Sequence, residues 1–129
     1  MKQLIYLIIP ALMLVVSSFS GCENKTPEEN VCGVENPLTD LEWLSQMVAG
    51  WEENSQNGFG VPCRIYQCTY ENNKIGFRIE YCVDCPDAGY SFRSCDGTIL
   101  CGGGGHSGED TCGELNIDLA NKKLIYQLN

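Results

Sequence analysis

The chain has 129 residues, 43% of them hydrophobic, a formal net charge of −9 and nine cysteines. That length suits one small domain with a modest core. The acidic balance repels phosphate backbones and excludes nucleic acid as a natural partner.

The first element in chain order is an apolar run from Leu4 to Val16, preceded by Lys2 and followed by Ser17-Ser18-Phe19-Ser20-Gly21. A basic residue, a short apolar stretch and small residues in that order read as a secretory signal peptide over residues 1–21. The run falls short of the roughly 20 residues that a spanning helix needs. Ser20-Gly21-Cys22 resembles the lipobox of bacterial lipoproteins, although Phe19 stands where that pattern usually has Leu. The resemblance implies cleavage before Cys22, acylation of its sulfur (the palmitate class of modification) and anchoring to a membrane without a spanning helix. Losing Lys2 with the peptide would make the mature chain one unit more acidic. Residues 22–31 are polar and read as a lipidated, disordered tether. A coil of that length lets the domain stand roughly 15 Å off the lipid. Residues 32–129 remain as one disulfide-rich domain.

A helix start follows. Thr39 and Glu42 have the spacing of a capping box, with Leu38 and Trp43 as its hydrophobic staple. Asn36-Pro37 offers a competing start one turn earlier. Leu41, Leu44, Val48 and Trp51 recur at helical spacing with Met47 beside them, so an amphipathic helix is predicted over about residues 39–53.

Strand patterns fill the rest. Cys63–Tyr70 and Ile75–Cys82 flank Glu71-Asn72-Asn73-Lys74, and Asn tolerates left-handed backbone. A two-residue turn at Asn72-Asn73 would set Tyr70 opposite Ile75, Cys68 opposite Phe77 and Tyr66 opposite Ile79. A second hairpin is predicted around Asp96-Gly97, with Gly102–Gly108 as a glycine-rich loop after it. Leu115–Leu119 and Lys123–Leu128 read as a third hairpin, with a short helix turn followed by a strand as the alternative. Together these patterns predict an α+β fold: one N-terminal amphipathic helix packed on an antiparallel sheet of four to six strands.

With Cys22 set aside, Cys32, Cys63, Cys68, Cys82, Cys85, Cys95, Cys101 and Cys112 remain. An even count in an exported chain reads as a disulfide framework, whose connectivity spacing alone does not give. Under the two-residue turn, Cys63 lies opposite Cys82, the best single pairing, with Cys85 as rival partner. Cys68 and Cys101 would then look to Cys32 or Cys112. Cys82-Val83-Asp84-Cys85 has C-x-x-C spacing but ends a strand rather than opening a helix, which favours structural bridges over redox or zinc chemistry.

The 102–110 loop holds the only histidine, His106, beside Ser107 and Asp110. Residues so close in sequence rarely form a nucleophile–base–orienter array. Asp84, Asp87, Glu109 and Asp110 are default solvated loop acids with no calcium-loop spacing. No metal, cofactor or catalytic residue is therefore expected. Aromatic residues exceed what one core needs, and Tyr81 and the Cys95 side are candidates for an exposed surface that binds protein or glycan.

Cys22 in its lipobox, Asn36-Pro37-Leu38 with Leu41, Trp43 and Leu44, the tyrosine-rich hairpin, and Ser94-Cys95-Asp96-Gly97 with Leu100-Cys101 together resemble a group of small bacterial lipoproteins of unknown function. The resemblance covers most of the mature chain and implies no catalytic residues. The expectation is an exported, membrane-anchored lipoprotein of the cell envelope. It would sit at the outer membrane, periplasmic or surface-facing, as a non-enzymatic binding or envelope module. The alternative is a secreted-side hydrolase or a protease-inhibitor-like protein that uses the 102–110 loop.

Overall fold

The computed structural model describes residues 30–106 and 108–129. The predicted signal peptide, Cys22 and most of the tether lie outside the described residues, as does Ser107.

The helical region begins one turn before Thr39. Asn36 caps a short turn, α1 (Pro37–Asp40), and its Oδ1 accepts the Leu38 N–H at 3.1 Å. Asp40 Oδ2 accepts the Asn36 N–H at 2.9 Å. Pro37 at the first position has no N–H to leave unsatisfied and its φ is already helical. The turn ends at Leu41, which is extended, and α2 (Glu42–Gln56) starts directly after it. Thr39 is therefore not the cap. Its hydroxyl donates to Asp40 Oδ1 at 2.8 Å. The Asn36-Pro37 start wins because it satisfies the exposed donors and uses the proline where it costs nothing.

Five strands follow: β1 (Cys63–Tyr70), β2 (Lys74–Tyr81), β3 (Gly89–Ser94), β4 (Ile99–Gly104) and β5 (Lys123–Leu128). They form one antiparallel sheet in the order β4-β3-β2-β1-β5. The β1–β2 connection uses three residues, not two. Glu71, Asn72 and Asn73 all have positive φ, and Tyr70 pairs with Lys74. One extra turn residue slips the register by one and moves every side chain of one strand to the other face. Ile65 thus pairs with Ile79, and Tyr66 with Arg78. The predicted pairs of Tyr66 with Ile79 and Cys68 with Phe77 are not formed.

The slip makes both sheet faces apolar. On one face Leu44 packs with Ile65, Phe77 and Ile79, and Trp43, Met47, Val48 and Trp51 close around them. The rings of Trp43 and Trp51 meet those of Phe77 and Tyr81 edge-to-face, with centroids 5.7 and 6.0 Å apart. Tyr81 therefore packs within the helix-side core and is not part of an exposed aromatic surface. On the other face Cys68, Phe92 and Cys101 form a second cluster with Tyr66, Tyr70, Leu115 and Ile117. Leu115–Leu119 forms no strand. It is an irregular strap laid over this face, held by the Asp118 N–H to Thr69 carbonyl bond at 2.9 Å. The strap gives up ladder hydrogen bonds and instead buries Leu115 and Ile117.

The glycine run begins as strand, through Gly104, and only then leaves the sheet. Gly102 and Gly103 of β4 pair with Ser91 and Tyr90. A Cβ on Gly103 would stand 2.8 Å from the Tyr90 ring, so close approach sets the glycine there.

Three bridges join Cys32 to Cys95, Cys82 to Cys85, and Cys101 to Cys112, with Cα separations of 5.5, 5.3 and 5.1 Å. Each separation suits a disulfide. Cys63 and Cys68 are buried thiols. The predicted Cys63–Cys82 bridge is absent because Cys85 folds back onto Cys82. Cys63 and Cys68 also lie on opposite faces of β1, an odd number of residues apart, and cannot join each other.

Trp43 ties the Cys32–Cys95 bridge to the core. Its Nε1–H donates to the Cys95 carbonyl at 2.9 Å, and its ring lies against Gly97, whose φ is 86°. A Cβ on Gly97 would fall 2.8 Å from the indole. Gly97→Ala should therefore destabilise the fold by about 1–3 kcal/mol. Gly50, with nothing within 4 Å of its missing Cβ in mid-helix, is the counterpart. Gly50→Ala should stabilise by about 0.5–1 kcal/mol. Urea unfolding of both variants checks the opposite signs.

Candidate functional site

The strap over the second sheet face leaves a cleft on each side of Asn116. The first, of about 370 Å³, opens at the tip of the β1–β2 hairpin. Its walls are Thr69, Tyr70 and the turn residues Glu71, Asn72 and Asn73 on one side, and Asn116 and Asp118 of the strap on the other. The second, of about 360 Å³, runs beneath the strap between Arg78, Tyr90 and Asp110.

The first cleft concentrates unusual backbone. Among the described residues, the non-glycine positions with positive φ are Cys32, Glu71, Asn72, Asn73, Cys82 and Asn116. Glu71, Asn72, Asn73 and Asn116 all line this cleft. Such conformations cost energy and gather where a structure aims side chains for use. Asn bears them best because its short amide tolerates left-handed backbone.

The charges of the first cleft are engaged within the protein. Glu71 receives the Lys74 ammonium at 3.0 Å. Asp118 accepts the Asn121 side-chain N–H at 2.8 Å and the backbone N–H groups of Ala120 and Asn121 at 3.1 Å. The Asn121 side chain and backbone hold the Asp118 carboxyl below its ordinary range. The carboxamides of Asn72, Asn73 and Asn116 are exposed at the mouth. A carboxamide both donates and accepts, which matches a hydroxyl-rich, uncharged ligand.

The second cleft is organised by Arg78. Its guanidinium stacks 3.5 Å above the Tyr90 ring and its Nε donates to Glu80 at 2.9 Å. Burial raises the Tyr90 phenol, and the adjacent Asp110 carboxylate adds to the rise. Asp110 is lowered in turn, first by the Tyr90 hydroxyl and then by the Cys112 N–H, which it accepts at 2.8 Å. Cys68 lies under the same cluster. Burial pushes its thiol up, with Arg78 and Lys122 pulling the other way.

The loop residues singled out in the sequence are dispersed by this arrangement. Asp110 is committed to Tyr90 and Cys112, while His106 stands exposed in the turn after β4. The 102–110 segment thus divides into a strand end, an exposed turn and one anchoring carboxylate. Among the described residues no three His, Cys, Asp or Glu side chains stand close enough to share a metal ion, and no helix is long and apolar enough to cross a membrane. The clefts themselves escape a linear reading. Asn116 is isolated in sequence, and only the strap brings it to Asn72 and Asn73. The one local hint was the Asn72-Asn73 pair.

Comparison of the chain with protein-family models, curated proteins and solved structures finds no match to any of them.

Because Asp110 is lowered in the folded state, its bonds add stability above the unfolded value near 3.8. That contribution is lost as pH falls through the folded value. Tyr90→Phe removes the leading cause. Carboxyl titration followed by NMR should show Asp110 rising towards 3.8 in Tyr90→Phe.

Proposed function

We propose that this chain is an exported lipoprotein, anchored through Cys22, whose folded domain is a non-enzymatic binding module of the cell envelope. The Leu4–Val16 run, the Ser20-Gly21-Cys22 pattern and the resemblance to small bacterial lipoproteins support the anchor. In this reading the helix lies near the start of the mature domain and the protein belongs to the outer membrane. The observation that carries the binding role is the first cleft, where four left-handed residues converge, Glu71 is ion-paired with Lys74 and Asp118 is hydrogen-bonded to Ala120 and Asn121. Its three exposed carboxamides beside Tyr70 and Thr69 favour a neutral glycan over a charged ligand.

Two experiments test the two halves of this reading. In a lipoprotein-competent host fed labelled fatty acid, the wild-type chain should fractionate with membranes and carry label. Cys22→Ser should lose the label and appear as a soluble protein or an uncleaved precursor. An unlabelled, soluble wild type rejects the anchor. Two or more acyl chains give stable attachment at about 0.8 kcal/mol per buried CH₂, so partial release of wild type is not expected.

The detergent-solubilised full chain applied to a glycan array should retain neutral glycans. Asn116→Ala should weaken that binding by about 1–2 kcal/mol, the scale of a lost hydrogen bond with one partner left unsatisfied. Retention that is indifferent to Asn116→Ala and Asn72→Ala rejects the cleft as the site.

A further inference from the structure

We propose that Cys63, Cys82 and Cys85 form a thiol–disulfide exchange site, in which the buried Cys63 thiolate opens the Cys82–Cys85 bridge and releases Cys85 as a surface thiol that small disulfides can modify.

The placement follows from a bulge at the end of the first hairpin. Arg64 pairs with Glu80, and the Val83 N–H donates to the Pro62 carbonyl at 2.9 Å. Between those two rungs β1 supplies one residue, Cys63, while the opposite strand supplies two, Tyr81 and Cys82. Two residues facing one is a β-bulge, and the φ of 48° at Cys82 is the left-handed conformation such a bulge can hold. The bulge sets Cys82 next to Cys63 at the strand end. Residues that face each other across antiparallel strands lie within disulfide range.

The three sulfurs differ in access. Cys63 is 1% exposed, under the helix-side core. Cys85 is half-buried, with Asp84 and Pro86 exposed on either side. A thiol placed beside a bridge that closes on itself has one available reaction. The Cys63 thiolate attacks Cys82 Sγ, the Cys63–Cys82 bond forms, the Cys82–Cys85 bond breaks, and the electron pair leaves on Cys85. The proton released by Cys63 is matched by the one Cys85 can take up, so no outside oxidant or reductant is needed. A small disulfide, R–S–S–R, can then exchange with the Cys85 thiolate, giving a mixed disulfide at Cys85 and one R–S⁻. Burial raises the Cys63 thiol, which makes the first step slow.

Cys68 is the internal control. It is a buried thiol at 2% exposure, but it lies on the opposite face of β1 among Phe92 and Cys101. It packs beside the Cys101–Cys112 bridge, so any exchange there would release a sulfur other than Cys85.

The test uses the full native chain incubated with an aromatic disulfide reagent, quenched in acid and mapped without reduction. Label is expected on Cys85, together with a Cys63–Cys82 linked peptide. Cys68→Ser should behave as wild type. Cys63→Ser should lose the label entirely, with its far-ultraviolet circular dichroism confirming the fold. Wild type that stays unlabelled, label on Cys63 itself, or undiminished label in Cys63→Ser would each overturn the proposal. Should Cys63→Ser fail to fold, Cys85→Ser decides alone. Without Cys85, the aromatic disulfide is expected to oxidise the Cys82 and Cys63 thiols to a bridge, leaving as two aromatic thiols, and recovery of both cysteines as alkylated thiols would reject the site.

Discussion

The length of one turn governs this molecule. Glu71, Asn72 and Asn73 connect β1 to β2 with three left-handed residues, and that count sets Ile65 against Ile79. A turn shorter by one residue would carry Tyr66, Cys68 and Tyr70 onto the face of Phe77 and Ile79. The helix would then cover a crowded surface, and the strap would have only Phe92 and Cys101 to cover. With the observed register, each face of the central hairpin carries its own cluster, and each cluster has its own lid.

Two lids on one sheet explain how a small acidic chain builds enough core. The helix stripe through Leu44 supplies the first layer, and the strap through Leu115 and Ile117 the second. Neither lid is long, and both are stapled where they join the sheet. Cys32–Cys95 fastens the segment before the helix to the β3–β4 turn, and Trp43 locks that turn through the Cys95 carbonyl. Cys101–Cys112 fastens the strap to β4. A bridge of this kind contributes about 2–4 kcal/mol in the chain-entropy view, comparable to a sizeable share of a small domain's net stability. The third bridge differs, because Cys82–Cys85 closes only its own short loop and joins no two elements.

The same strap that completes the core also makes the candidate site. By lying along the second face it brings Asn116 to the hairpin tip and Asp110 to Tyr90. Strain at the turn that sets the register and strain at Asn116 therefore meet in one cleft. The requirement of the fold and the composition of the site share residues. A substitution at Asn72 or Asn73 thus reads out on stability as well as on binding, whereas Asn116 separates the two more cleanly.

The linear sequence by itself determined what depends on near neighbours. The Leu41-Leu44-Val48-Trp51 stripe marks a helix, Asp96-Gly97 marks the second hairpin, and the alternating apolar runs mark strands. Each is set by periodicity or by the backbone tolerance of one or two residues. The apolar run Leu4–Val16 and Ser20-Gly21-Cys22, on which the proposed anchor rests, are read from sequence alone, since those positions lie outside the described residues. Tertiary structure alone decided the β1–β2 register, the fate of Leu115–Leu119 and the pairing of the cysteines. Asn72-Asn73 is compatible with a turn of two residues or three, and both alternatives look amphipathic along a single strand. Only the simultaneous covering of two faces separates them. Leu115 and Ile117 read as strand because their apolar spacing does not say whether a neighbouring strand or an open sheet face will bury them. Cysteine pairing follows from distances that close after the register is set, and the turn that brings Cys85 back onto Cys82 was enough to redirect it.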